Sequence, residues 1–481
     1  MTDASFYFYD LETSGFDPKE ARIMQFAGRR TSMELQDIGQ PDNYYIKITD
    51  DVLPNPEAIL ISGITPQRTI DEGLTEVEFL RVFYKKIAVP NTIFVGFNTI
   101  RFDDEFMRYM MYRNFYDPYE WQWQESRSRW DLLDVVRMTR ALRPDGINWP
   151  SDDAGISTNR LELLASLNNL EHTNAHDALS DVEATIALAR LVSSKQPKLF
   201  SYLLSMREKK KVATFVVGGQ PFVYTSGRLA SEFEKTTVAC VLTDEPDKQG
   251  VLVFDLRYDP SLFKDFNPSE LVEALRRKRD DPGPRLPVKR LRFNRCPAIA
   301  PLSVLDEASQ QRLKLSPKDF MKNYAKFQEI KPILAKSVLQ AMKTIENERE
   351  AKFVKSNMYV DSKLYEGFFS DRDKVDMKSV RQADDELLKS MKPDFQDERL
   401  QKLFPLYKAR NFPDTLDDGE RLEWDQFRQQ KLLAGNESSY AAQYFAQLAT
   451  LSNDSSLNDE QKFLLEELQL YGQSILPFSD N

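Results

Sequence analysis

The sequence predicts an α/β protein whose first part is joined to a second, β-rich part and a helical C-terminal part, and three textures along the chain predict it. Short β-rich runs at residues 5–9, 44–48 and 92–97 alternate with helical patterns as far as Gln196-Pro197. From 199 to about 350 the pattern changes to alternating strands at 213–217, 238–242, 251–256 and 288–293, interrupted by a helical stretch at 271–279 and followed by another at 331–350. That pattern describes a small barrel-like β unit with helical insertions. Beyond 359 the chain is charge-rich and helical in pattern, ending in a helix at 457–470. The expected division is therefore 1–197, 198–350, a connector at 351–358, and 359–481. A chain of 481 residues is too long for one ordinary core, which agrees with several domains.

Composition supports folding throughout. Hydrophobic residues make up 41% and charged residues 29%, outside the regime of low hydrophobicity that favours disorder. Residues 1–5 lead straight into an apolar run without the basic and apolar regions of a secretory leader, and no long charge-free apolar segment follows. A soluble, intracellular protein with no membrane partner is expected. Cys240 and Cys296 are too few for a disulfide framework and lack zinc-site spacing, so both are read as core thiols.

The net charge of −10 argues against a nucleic-acid partner, because neutralising phosphates dominates such binding. Its distribution argues the other way. Between Arg276 and Arg295 stand nine basic residues against two acidic ones, Asp280 and Asp281. Locally such a stripe can hold a phosphate backbone.

The chemistry-bearing residues start at the end of the first strand. Asp10 and Glu12 are two apart, so a strand projects both carboxylates from one face. Their repulsion is relieved by a cation between them, and Mg²⁺ prefers oxygen ligands; a solvated strand end accounts for a bare pair as well. Asp103 follows the run Gly96-Phe97-Asn98, where a strand gives way to a helix, and capping that helix is its other reading. A third acidic position is Asp181, predicted to open a helix over 181–193 with Val182, Ile186, Ala189 and Val192 at helical spacing and Pro197 beyond its end.

The chain contains two histidines, His172 and His176, so an imidazole base has to be one of them. His172 precedes Asp177 by the same interval as His176 precedes Asp181. The second pairing is preferred, because Asp181 opens the amphipathic helix while His176 stays on the preceding loop; His172 is given a structural or surface role.

In this order and over this distance, Asp10-Leu11-Glu12-Thr13, Asn98 with Phe102-Asp103, and His176 with Asp181 resemble the three motifs of the DnaQ-like (DEDDh) exonuclease superfamily. Within it, the runs Gly63-Ile64-Thr65-Pro66-Gln67, Tyr112-Arg113-Asn114-Phe115-Tyr116, Arg129-Trp130-Asp131-Leu132-Leu133 and Ala141-Leu142-Arg143-Pro144 are similar to the bacterial exodeoxyribonuclease I family. The likeness continues in Val288-Lys289, Asn294-Arg295-Cys296-Pro297, Leu364-Tyr365-Glu366-Gly367-Phe368-Phe369 and Ala409-Arg410-Asn411-Phe412-Pro413. One departure is Ser14, where many superfamily members carry a second Thr.

The resemblance implies an RNase H-like (DnaQ-like) exonuclease domain with a mixed sheet, an SH3-like β-barrel domain with helical insertions, and a mostly α-helical C-terminal domain. It implies a metal-dependent 3′→5′ exodeoxyribonuclease that degrades single-stranded DNA to 5′-mononucleotides in DNA repair and recombination. Two Mg²⁺ ions, replaceable by Mn²⁺, would be held by Asp10 as bridging ligand with Glu12, Asp103 and Asp181, and His176 would be the general base. Asn98, Arg160 and Glu12 would bind the substrate, Arg160 at the terminal nucleotide; for Arg160 a surface arginine at a helix start is the other reading.

Bases and aromatics interleave from Arg108 to Trp123, and unpaired bases stack on such rings for about 1–3 kcal/mol each. Arg108, Tyr119, Trp123 and Arg137 are the outward-facing candidates by resemblance, and about half of the rings in that stretch are expected in the core. Strand alternation sets Leu291 and Phe293 on one face and Arg290 and Arg292 on the other, a phosphate track or a solvated basic face. Lys209 to Lys211 could extend that track. Tyr365, Phe368 and Phe369 are read as core of the C-terminal domain.

Further implied are a cytoplasmic monomer and a protein partner, the acidic tail of single-stranded DNA-binding protein, with Arg143 as its anchor or as a structural salt bridge. Two rivals share the site: a proofreading or RNA-trimming nuclease of the same superfamily, separable by RNA and DNA digestion, and a noncatalytic nucleic-acid-binding protein, separable by a metal-titrated hydrolysis assay.

Overall fold

The computed structural model describes residues 3–170, 177–278, 281–356 and 359–477, with the backbone alone for 350–356. Two compact units form: residues 1–127, 173–183 and 357–481 in one, 128–172 and 184–356 in the other. Packing thus groups the C-terminal segment with the N-terminal one.

In the first unit, strands β1 (Ser5–Thr13), β2 (Ile23–Thr31), β3 (Asp37–Tyr45) and β4 (Thr92–Gly96) lie in the order β3-β2-β1-β4. β1 runs antiparallel to β2 and parallel to β4, so the sheet is mixed. β1 is central because its residues are apolar on both faces until Asp10: Tyr7, Tyr9 and Leu11 enter one core with Phe26, Phe79, Phe83, Phe94 and Trp121. A second core of this unit joins Tyr109, Tyr112 and Phe115 to Leu364, Leu400, Leu403 and Tyr407. A third joins Met24, Ile48 and Ile59 to Tyr444, Leu464, Leu468 and Tyr471.

The predicted strand at 44–48 lies earlier than expected, at Asp37–Tyr45, and β2 was not anticipated. β3 is a polar edge strand carrying Gly39 and Pro41, residues that obscure a strand pattern but are tolerated at an edge. The helix predicted at 181–193 spans Ala178–Lys195, so Asp181 sits in its first turn rather than opening it; the Asp181 amide donates to the Asp177 carbonyl at 3.0 Å. Its four apolar positions are all buried, as the spacing required.

The second unit opens with β5 (Ser128–Asp131) and contains an antiparallel sheet in the order β10-β6-β7-β8-β9. Its strands are β6 (Phe222–Thr225), β7 (Thr236–Asp244), β8 (Gly250–Asp255), β9 (Val288–Arg292) and β10 (Ala298–Pro301). The helix Pro268–Arg276 is inserted between β8 and β9. The predicted strand at 213–217 is instead the end of a helix, Lys209–Val217. Val212 and Val216, four apart, are buried while Val217 is exposed, so tertiary packing selects the helical period over the β-propensity of the valines.

The expected connector at 351–358 is helical as far as Ser356, within one helix Pro317–Ser356 that also contains Pro332. Nothing in Ala351-Lys352-Phe353-Val354-Lys355 breaks a helix, whereas Pro332 mimics a helix start in sequence. Both cysteines are buried thiols. Of the three aromatics assigned to the C-terminal core, Phe369 alone is partly buried, stacked on Tyr112; Tyr365 is half exposed and Phe368 is 91% exposed. The Arg399 guanidinium lies 4.6 Å from the Phe369 ring.

Candidate active site

The candidate site is built where β1 ends. Strand alternation turns Tyr9 and Leu11 into the core and leaves Asp10 and Glu12 together on the opposite face. The pairing of β1 with β2 shifts register immediately after Glu12, so a bulge terminates the regular strand at the carboxylates. Asp10, Glu12 and Asp181 come together, with one ligand oxygen from each lying within 4.8 Å of the others.

Asp103 begins the helix Asp103–Arg113, which carries three acidic residues in its first turn. The preceding turn needs Gly96 and Asn98. A Cβ on Gly96 would lie 2.9 Å from the Tyr9 carbonyl and 2.1 Å from the Thr99 side chain, and Asn98 adopts a left-handed φ of 72°. Neighbouring Asp104 is buried and accepts from the Tyr9 hydroxyl at 2.6 Å, which locks the start of this helix onto β1.

Asp103 is not among the three whose oxygens approach within 4.8 Å, but its charge acts on both strand carboxylates. Burial, and then the charges of Asp103, Asp181, Glu12 and Asp177, push the Asp10 carboxyl well above the usual carboxylate range. Burial followed by Asp181, Asp103 and Asp177 pushes Glu12 up to about 8. Carboxylates so crowded are a poor arrangement for a metal-free site and a good one for divalent cations, which take oxygen ligands and cancel the repulsion. The donor set therefore fits a hard divalent metal.

Of two further residues at this site, Gln25 escaped sequence reasoning and Asp177 entered it only as the alternative partner of His172. Gln25, buried on β2 directly opposite Glu12, donates at 3.0 Å to Asp177 Oδ1 and at 3.0 Å to Asn43 Oδ1. Asp177 itself adds its charge to the cluster. Gln25 therefore ties the residue before the Ala178 helix to the sheet, and Arg29, four residues further along β2, pairs with Glu183 in the second turn of that helix at 2.9 Å. Only the pairing of β1 with β2 reveals Gln25. His176 and His172 lie outside the described residues.

The remaining candidates are dispersed. Trp123 is 61% exposed and Tyr119 half-buried. Arg108, expected to face outward, is buried: it pairs with Glu105 at 2.5 Å, donates to Gln122 at 3.0 Å and lies 5.4 Å over the Tyr119 ring. The Glu105 carboxylate and Gln122 meet its two terminal amino nitrogens, which makes burying this cation tolerable, while its Nε is left without a partner among the described residues. Arg137, also expected outside, is mostly covered and pairs with Asp134 at 2.7 Å. Arg160 is exposed and paired with Glu162. Arg143 pairs with Asp306 at 3.1 Å and donates to the Val304 carbonyl.

On β9, Leu291 is core, and Arg290 and Arg292 are half-buried on the other face. Both are held by one buried carboxylate, Glu245, at 3.2 and 2.7 Å, with Glu346 and Asp247 as further partners. Arg279 and Asp280 of the basic stripe lie outside the described residues. Among the described residues no helix is long and apolar enough to cross a membrane.

Comparison with known proteins agrees along the chain. Residues 7–189 match the family model described as exonuclease, 207–343 the exonuclease I SH3-like domain and 358–475 the exonuclease I C-terminal domain. Exodeoxyribonuclease I of Haemophilus influenzae is 40% identical over 99% of this chain and 100% of its own length. The zinc-bound Escherichia coli exonuclease I complex with single-stranded DNA superposes with a TM-score of 0.91 at 36% identity, covering 98% of this chain and 100% of that one. An SSB/exonuclease I structure with the inhibitor CFAM gives 0.88 at 37% identity, covering 98% and 100%.

Proposed function

The chain belongs to the exodeoxyribonuclease I family, and from that premise we propose that it removes 5′-mononucleotides one at a time from the 3′ end of single-stranded DNA. The observation that carries this reading is the convergence of Asp10, Glu12 and Asp181 within 4.8 Å, with the Asp103 charge pressing on Asp10. Asp10, Glu12, Asp103 and Asp181 would hold two Mg²⁺ ions, for which Mn²⁺ could substitute, with Asp10 the carboxylate central to the set. When bound, such ions would supply Lewis-acid stabilisation of the entering and leaving oxygens of the displacement.

The chain's own residues do the rest. His176 takes the proton of the attacking water, a role that imidazole suits near neutrality. The bond that breaks joins phosphorus to the 3′ oxygen of the penultimate nucleotide. Asn98, Arg160 and Glu12 position the terminal nucleotide, and exposed Trp123 with Tyr119 offers faces on which bases stack. Arg108 and Arg137 act through their neighbours, because both are covered and paired with carboxylates. Arg290 and Arg292 line a phosphate track only after giving up some of their carboxylate partners.

Similarity to the SSB/exonuclease I complex supports a second partner, the acidic tail of single-stranded DNA-binding protein, with Arg143 as anchor. We assign the protein to the cytoplasm as a monomer acting in repair and recombination, with the three segments 1–197, 198–350 and 359–481 as exonuclease, SH3-like and helical domains.

The test is digestion of single- and double-stranded DNA and of RNA, each labelled at either end, with magnesium and with chelator. A shortening ladder from 5′-labelled single-stranded DNA, present only with metal, is expected. Preferred digestion of RNA, or shortening from the 5′ end, overturns the reading. His176→Ala is expected to lower kcat by roughly 10²–10⁴-fold, the range for loss of a general base.

A further inference from the structure

Residues between 228 and 289 of the second unit line a half-open cavity of about 270 Å³ that the exonuclease reading leaves unused. Its wall is apolar where Leu229, Phe263 and Leu286 line it, all three buried. Its charged lining is lopsided: Arg228, Arg257, Arg285 and Lys289 stand against one carboxylate, Asp255.

The partners of these groups decide which are available. Arg257 is committed, donating to the Leu313 carbonyl at 2.9 Å and the Thr236 carbonyl at 3.2 Å, with its guanidinium 3.6 Å from the Phe233 ring. Asp255 is committed too, accepting from the Thr237 hydroxyl at 2.5 Å and the Arg257 amide at 3.0 Å. Among the described residues, the side chains of Arg228, Arg285 and Lys289 make no ion pair and no hydrogen bond. Burial first, and then Arg285 and Arg228 against the opposing pull of Asp255, lower the Lys289 ammonium from its ordinary value. Arg228 and Arg285 are exposed at the mouth and Lys289 is partly buried, so three cations face the single, already committed carboxylate Asp255, and an anion relieves that excess of positive charge.

We propose that this cavity binds one nucleoside phosphate, its phosphate on Lys289, Arg285 and Arg228 and its base against Leu229, Phe263 and Leu286. Cationic side chains give charge-assisted bonds to phosphate oxygens, and the apolar wall rewards a flat ring that inorganic phosphate lacks. The volume lies just below the usual range of about 300–1,000 Å³ for ligand pockets, room for one nucleotide rather than several. The nucleoside phosphate has two sources, the released 5′-mononucleotide or one unit of a bound strand. The inference rests on the reading that the protein handles DNA.

The test uses the full chain in chelator, so that nothing is digested. Deoxyadenosine 5′-monophosphate, a long single-stranded oligonucleotide and inorganic phosphate are titrated calorimetrically into wild type, Lys289→Glu and Lys289→Met, with thermal unfolding to check folding. Mononucleotide binding weakened at least tenfold in both variants supports the site with released product as ligand. Strand binding alone weakened at least tenfold supports it with the strand as ligand. Unchanged binding of both ligands in both variants overturns it, as does inorganic phosphate binding as tightly as the mononucleotide. Wild-type digestion with magnesium, run in parallel, tests the exonuclease reading separately, since its failure would leave the binding data standing.

Discussion

Glu12 shows at a single residue how the site works. Its carboxyl is pushed up to about 8 by burial and by Asp181, Asp103 and Asp177, so its charged form is disfavoured until a cation joins it. Adding magnesium is expected to raise the melting temperature, because a ligand that binds only the native state stabilises it. Asp10→Asn should abolish most of that rise and lower turnover at least 10³-fold, measured by thermal unfolding and by oligonucleotide digestion. Gln25 acts one layer further out. Gln25→Ala is expected to lower kcat about tenfold with little change in KM, because it loosens Asp177 and the first turn carrying Asp181 while touching no substrate. A KM effect as large as the kcat effect would contradict that role. Asp10, Glu12, Asp103 and Asp181 were legible as candidates because their spacing and resemblance coincide; Gln25 was not, because its role exists only through a strand pairing that local sequence does not encode.

At the scale of elements, β9 carries a balance of charges that sequence cannot show. Alternation correctly separated Leu291 from Arg290 and Arg292, but the carboxylate that meets both arginines comes from Glu245, forty-odd positions earlier, just beyond β7. Glu245→Gln is expected to free part of that charge and tighten single-stranded DNA binding severalfold at low salt, with a steeper salt dependence. Binding insensitive to the substitution would remove Arg290 and Arg292 from the phosphate track. The helix Lys209–Val217 makes a related point: two buried valines four residues apart, rather than the run of β-formers as a whole, decide the element. Where the period was clear, as in Ala178–Lys195 and β8, element type followed from sequence; where Gly, Pro or polar residues interrupted it, as in β3, tertiary pairing supplied the information.

Across the whole molecule, residues far apart in sequence depend on one another inside the first unit. Asp51 meets Arg410 and Lys431 at 2.7 Å each, Arg410 also meets Asp361 at 2.7 Å, and Arg22 lies 3.8 and 3.7 Å from the two carboxylates. Burial alone would raise Asp51 and Asp361, but the charge of Arg410, aided by Arg22 and Lys431, holds both below the ordinary range. Their folded values lie below their unfolded ones, so their stabilisation is present above about pH 4 and is lost as the pH falls further. The melting temperature should therefore drop below that point, and less steeply in Asp361→Asn. Arg410→Ala is expected to cost about 3–5 kcal/mol in denaturant unfolding, because it strands two buried carboxylates. A chain ending at residue 350 should fail to unfold cooperatively, since it exposes Tyr109, Tyr112, Phe115 and Met24.

The central claim is that carboxylates from β1 and two helices hold the cations that hydrolysis requires. Manganese binding followed by electron paramagnetic resonance, alongside strand digestion, in wild type, Asp10→Asn and Asp181→Asn measures it most directly. The account predicts saturable binding in wild type, at least tenfold weaker in both variants, with digestion lost in step. Equal manganese affinity in all three proteins, or digestion that persists in the variants, would contradict it.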